Sequence, residues 1–340
     1  MPSSAAQRNI RTISYAKYGY MFILPFFLVY AIFQLWPLIY TFTISTYTFK
    51  DNIETFVGVQ NFKDLLFAST NRTTKALHEG FVQSIGNTLK IWLVNFLPQI
   101  ALSLILAVWF TDSKLKIRGK GFFKVVMYMP NIITASSVAV LFLSLFGETK
   151  EAPVNGTLIR MGLVEAPIKF TTDANLKRLM ISFIQAWMWY GNTMILLMSG
   201  IMGINPSLFE AANIDGANSW QVFTKITVPS LRPILLYTLI TSMIGGLQMF
   251  DIPLLYNNGT AYDPNTKTIA IFIYERYVGT IKQYGYSGAA SLILFVITSV
   301  LGAIVFYMNR DVDEANKKKQ LKKMKKQAKQ KNKGLGGFEI

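Results

Sequence analysis

The sequence predicts an all-α polytopic membrane protein with about six transmembrane helices, and three observations predict it. Apolar residues fill 51% of 340 positions while charged residues fill 15%, too few to coat a soluble globule of this size. Long apolar runs recur at roughly 19–47, 85–110, 122–146, 179–203, 233–256 and 287–308. Each reaches the ~20 residues that a helix rising ~1.5 Å per residue needs to cross the hydrocarbon. Basic residues gather at the ends of alternate runs, where membrane topology places them.

The first run follows Arg8, Arg11 and Lys17, has no small-residue cleavage site and is too long for the apolar region of a signal peptide, so it reads as a retained span. Pro25, Pro37, Pro98, Pro130 and Pro253 interrupt the runs. Bundled membrane helices re-satisfy the carbonyls that proline frees, so these residues are expected to bend spans rather than end them. With the N-terminus inside, segments 1–18, 111–121, 204–232 and 309–340, together with Lys124, hold 21 Lys+Arg against 7 Asp+Glu. The outer segments 48–84, 147–178 and 257–286 hold 12 against 10. This asymmetry predicts a multi-pass plasma-membrane protein with both termini in the cytoplasm. The chain divides into an N-terminus at 1–18, a membrane domain at 19–308 and a Lys-rich tail at 309–340. The outer loops are polar, and none is large enough for a domain of its own. The tail, with lysines from Lys317 to Lys333, reads as solvated or drawn to anionic headgroups.

Several chemistries are excluded. Without cysteine there are no disulfides, thiolate metal sites or Cys nucleophiles. His78 is the single histidine and reads as an exposed loop residue, not part of a metal cluster. The net charge of +16 lies at span ends, which argues against nucleic-acid binding. The spans contain no converging His, Asp or Glu set for an embedded enzyme. Only Asp251 and Lys90 could serve ion coupling, and no half-repeat of a secondary transporter is evident.

Residues 205–233, NPSLFEAANIDGANSWQVFTKITVPSLRP, are the most ordered of the inner segments. Asn205 can cap a helix with Pro206 in its first turn. Leu208, Phe209, Ala212 and Ile214 recur at helical spacing, Gly216 breaks the run, Ser219 can cap a second short helix and Pro229 stops it. Two short helices at a glycine elbow would form a docking knob. An interfacial loop that merely covers the bundle would carry the same pattern.

The stretch resembles the EAA loop of ABC importer permeases through Glu210-Ala211-Ala212, Gly216, Ile226 and Pro229. The fuller string, ending in Leu231-Arg232-Pro233, is similar to the first-subunit type of the maltose and glycerol-phosphate permease branch. The likeness extends along the chain. Phe56-Val57-Gly58 with Asn61-Phe62, Gly86-Asn87-Thr88, Gly119 through Pro130 and Gln248-Met249-Phe250-Asp251 each resemble a segment of that family. Where the family carries Thr-Gly-Gly-Gly-Pro, this chain has Asn257-Asn258-Gly259-Thr260.

The resemblance implies a type I ABC importer permease fold in a bacterial cell membrane. It implies a second permease, most simply in a heterodimer, a dimer of ATPase subunits, an extracellular solute-binding protein and a sugar-like solute. Glu210, Ala211, Ala212, Asp215, Gly216, Ile226 and Pro229 would couple the chain to the ATPase, where ATP and Mg would bind. This chain has no G-x-x-x-x-G-K-[ST] stretch to cradle phosphates and is expected to bind no cofactor and catalyse nothing.

Gln185, Trp187, Trp189 and Asn192 mix amides and indoles, which suits hydroxyl bonding and sugar stacking as well as an interfacial belt. A carboxylate at a helix centre costs roughly 2.5–3.5 kcal/mol on insertion scales, so Asp251 should be paired, solvated or facing a cavity. Alignment with the maltose permease puts sugar-contacting positions at Asn131, Ala135, Gln185, Trp189, Ser242 and Gly246. Gln248 and Asp251 complete the candidate path.

Overall fold

The computed structural model describes residues 16–50, 53–112, 115–259, 263–280 and 282–335. Arg8 and Arg11 lie outside them. The chain is helical almost throughout, as an all-α membrane domain should be.

Helix α1 (Ala16–Tyr30) passes through a π-helical stretch (Ala31–Leu35) into α2 (Trp36–Ser45). Pro37 lacks the N–H that would bond back one turn, and the turn before it widens accordingly. A short hairpin follows, β1 (Tyr47–Lys50) with β2 (Ile53–Phe56), pairing Tyr47 with Phe56, and then α3 (Gln60–Leu66). Asn61, 2% exposed, donates to the carbonyls of Ser45 and Tyr47, each at 2.9 Å, which ties this loop to the end of the first span.

Helix α4 (Arg72–Thr111) begins well before the predicted 85, capped by Asn71. His78 therefore sits on a helix, half-buried, with Nδ1 2.8 Å from the Leu65 carbonyl, and not in an exposed loop. The third run is broken. Helix α5 (Lys120–Tyr128) ends in a 3₁₀ turn (Met129–Asn131), and α6 (Ala135–Leu145) leaves at 93° to it. Pro130 ends the first half rather than bending it, and the Thr134 hydroxyl starts the second by accepting from the Ser137 N–H at 3.4 Å.

After the short α7 (Pro153–Arg160), α8 (Ala174–Met202) matches its prediction and packs along α4. The two helices are stitched by Gln99 to Thr193 at 2.9 Å and by Ser103 to the Tyr190 carbonyl at 2.8 Å.

Helix α9 (Pro206–Ile214) and helix α10 (Ser219–Val222) form the predicted pair. The cap of α10 is Asn218, not Ser219: Asn218 and Gln221 each accept the other's backbone N–H, at 2.8 and 2.9 Å. Pro229 does not stop this segment. A π stretch (Phe223–Thr227) leads into α11 (Val228–Ser230), where Pro229 occupies a first-turn position that needs no donor, and α12 (Arg232–Leu247) continues at 65°.

The fifth run breaks again at Gln248–Phe250 before α13 (Asp251–Tyr256). Helix α14 (Ile269–Val278) precedes α15 (Tyr284–Leu335), a 52-residue helix that carries the last span on through the lysine-rich stretch. Between Gly302 and Leu335 the one glycine is Gly334 and there is no proline, and Lys, Gln and Ala are good helix formers, so nothing there breaks the helix.

Tyr18–Ser45, Arg72–Thr111 and Tyr284–Tyr307 are each long and apolar enough to cross a membrane, and the number rises to six when each of three bent pairs is counted as one span. Three buried clusters stack along the bundle. Phe81, Phe272 and Leu294 fill the first, Ile91, Phe142, Ile184 and Ile252 the second, and Ala107, Met194, Leu197 and Leu231 the third. The third lies toward the end that carries 205–230, here the near end.

Candidate functional site

The two breaks and the middle of α8 meet around a cavity of about 550 Å³. Its wall includes Gln185, Trp189, Asn192 and Thr193 from α8, Tyr237, Thr241 and Ser242 from α12, and Gln248, Phe250 and Asp251 from the second break. The polar groups come chiefly from α8 and α12, and the second break adds Gln248 and Asp251.

Of the predicted path residues, Ala135, Gln185, Trp189, Ser242, Gly246, Gln248 and Asp251 all line this space. Asn131 does not. Its amide instead donates to the Met188 carbonyl at 3.3 Å, which fastens the 3₁₀ turn to α8. Trp187 also turns away, packing edge-on against Phe142 at 5.5 Å in the apolar core. Ser242 accepts from the Trp92 indole at 3.3 Å, and a Cβ on Gly246 would run into the same indole, so Gly246 shapes the wall by letting Trp92 approach. The sequence reading missed Asn95, Gln99, Tyr237, Thr238 and Thr241. Their amides and hydroxyls inside apolar runs, at helical spacing, were the available signal.

At the near end, α9 and α10 stand off the bundle. Asn205 caps α9 by accepting from the Ser207 N–H at 3.1 Å. The helix closes with the Ala217 N–H on the Ala212 carbonyl at 2.9 Å and the Gly216 N–H on Asn213 at 3.2 Å. That closure requires Gly216 at φ +73°, a region where a side chain is strained. Around this elbow Ile214 is 87% exposed and Trp220 70% exposed. Ala212 and Thr227 are buried against the bundle, while Glu210, Ala211, Asp215 and Pro229 are exposed and Ile226 is half-buried. Glu210 also borders a cavity of about 470 Å³ that separates this pair from the ends of α4 and α8.

At the opposite, far end the loops are closely braced. Asn87 donates to the Pro264 and Lys267 carbonyls at 2.7 and 3.1 Å, and Thr88 accepts from the Ile269 N–H at 3.0 Å. Lys177 pairs with Asp263 and Lys267 with Glu275, both at 2.6 Å. Burial works against the charged form of Asp263, but Lys177 and the Asn265 N–H outweigh it and hold the carboxyl below its ordinary value. Burial likewise opposes Glu148, and the hydroxyls and N–H groups of Thr171 and Thr172 outweigh it in the same direction. Where the family's glycines would stand, Asn258 at φ +56° and Gly259 at φ +73° make the left-handed turn, while Asn257 is buried and donates to Pro253 and Thr266. Thr260 lies outside the described residues.

Among known proteins, the chain is similar to the lactose transport system permease protein LacF of Rhizobium radiobacter, 30% identical over 86% of this chain and 94% of that one. It is 28% identical to the arabinooligosaccharides transport system permease protein AraP of Bacillus subtilis, over 89% and 93% of the two chains. A chain in the crystal structure of a bacterial ABC transporter involved in importing the acidic polysaccharide alginate superposes with a TM-score of 0.71 at 25% identity, over 88% of this chain and 97% of that one. Residues 99–315 match the family described as the binding-protein-dependent transport system inner membrane component, and they contain every lining residue of the larger cavity except Asn95, together with the whole protruding pair. The chain belongs to the binding-protein-dependent transport system inner membrane component family.

Proposed function

We propose that this chain and a second permease form the translocation path for a saccharide delivered by an extracellular binding protein, and that residues 205–230 couple the path to a separate ATPase. The observation that carries the reading is the protruding pair, whose apolar tip at Ile214 and Trp220 is open although the helices beneath it are closely capped. A covering loop would bury such side chains. A docking element leaves them for a partner, since large aromatic anchors dominate interface energetics.

The mechanism follows from how the pair is mounted. Helix α9 springs from the end of α8 across 73°, and α10 with α11 runs into α12 across 65°. Helices α8 and α12 carry most of the cavity wall, so a load on the knob acts on the wall through two helices at once. Movement of a partner driven by ATP would thereby open or close the polar space. Relatives named for lactose and arabinooligosaccharides support a sugar as the cargo. A similar solved transporter was crystallised with a pentasaccharide-bound periplasmic protein, which supports delivery by such a receptor. The amides, hydroxyls and Trp189 of the wall suit a polyhydroxylated ring. In this reading the near end and both termini face the cytoplasm of a bacterial cell.

Gly216→Pro tests the coupling. Proline fixes φ near −65°, incompatible with the +73° found here. The variant should insert normally yet lose ATPase co-purification and uptake, whereas Gly216→Asn, which tolerates the left-handed region, should keep both. Normal uptake by Gly216→Pro would contradict the docking assignment.

A further inference from the structure

The charge of the cavity narrows its cargo. Among the described residues that line it, Asp251 is the one acidic side chain, and no Lys, Arg or His joins it. Its side chain is exposed and forms no ion pair within the described part of the chain. Three cations of the far-end loops have partners of their own: Lys177 with Asp263, Lys267 with Glu275, and Arg276 with Gln283 and the face of Phe272. A carboxylate in a partly enclosed space acts at longer range than in open water. It attracts cations, accepts hydroxyl hydrogens and opposes anions.

We infer that this cavity selects against negative charge, with Asp251 setting the selection, so that the solute is a neutral or amino sugar rather than a uronate or a sugar phosphate. The inference rests on the cavity being the solute path. Hydroxyls of an uncharged ring can donate to the carboxylate while Gln185, Asn192, Thr241 and Gln248 complete their hydrogen bonds. An acidic sugar would bring its charge beside Asp251 with no counter-ion supplied by this chain.

The absence of cysteine gives a direct test. Asn192→Cys places one thiol on the wall in the fully assembled complex in nanodiscs. Its modification is then timed, by mass of this chain, with ammonium, sulfonate and hydroxyl methanethiosulfonates, each normalised to its rate with a free thiol. The ammonium reagent should exceed the sulfonate by about fivefold or more. Asp251→Asn should bring the ratio near one, and Asp251→Glu should restore it. A ratio near one with Asp251 intact would overturn the charge selection, whether a partner's cation or solvent cancels the carboxylate. Should Asp251→Asn fail to assemble, the normalised ratio with Asp251 in place and the Asp251→Glu arm still decide. Protection of the thiol from the neutral reagent by maltotriose, with none from a triuronate, is the matching result. If the expected rates appear but none of a panel of neutral and amino oligosaccharides protects, the path reading fails while the charge result stands.

Discussion

Asp263 holds the far end through one side chain and a few atoms. Its carboxylate accepts from Lys177 at 2.6 Å and from the Asn265 N–H at 2.9 Å, and this keeps its proton affinity low. A carboxyl whose folded value lies below its ordinary 3.8 contributes stability that is complete above that value and is lost as pH falls through the folded one. Glu148, lowered from 4.5, adds to the same trend. Proteolytic protection of residues 263–268 should therefore hold from neutral pH down to about 4 and be lost progressively below it. Asp263→Asn should destabilise by about 1–2 kcal/mol at neutral pH, read as a lower thermal transition, and should flatten that acid dependence. At this scale the sequence was partly legible. Gly216 was read as the break between two helices and takes a left-handed turn there, and Asn205 caps as expected. Asn218 displaced Ser219 as cap because Gln221 stands at the position that completes a reciprocal pair with it. Asn131 was placed in the path by alignment, but an alignment does not show which way a residue in a 3₁₀ turn faces.

At the scale of elements, the spans were readable and their breaks were not. A hydropathy window runs unbroken across Ile132 and Ile133, yet Thr134 with Ser136 and Ser137 behind it carries a helix-start signature that the window averages away. The same holds for Asp251 and Pro253, an acidic and a proline residue in the first turn of α13. Thr134→Val should cost about 1 kcal/mol by removing a cap and should loosen the wall near Ala135. Gly191 marks the closest approach of α8 to the end of α5, where an added Cβ would meet the Met127 carbonyl and the Tyr128 Cα. Gly191→Val should cost about 1–3 kcal/mol through forced separation, measured as a lowered melting temperature of the detergent-solubilised complex. Gly302, where an added Cβ would meet nothing, should by contrast tolerate Ala without loss of stability.

For the whole molecule, the distribution of charge and hydropathy was enough to predict a polytopic bundle, because both are set by the solvent around the chain rather than by its packing. The cavity was legible only residue by residue, since its shape depends on two breaks that a hydropathy window averages away. In the proposed coupling the molecule is a lever: a polar space walled by α8 and α12, operated through a knob at the near end. The exposed tip of that knob offers the most direct test. With no native cysteine, Ile214→Cys provides a single thiol on this chain. In intact cells the thiol should be silent to a membrane-impermeant maleimide, react once the cells are opened, and form a short cross-link to the ATPase subunit in the assembled complex. Labelling from outside intact cells, or an assembled complex in which no ATPase cross-link forms, would contradict the account.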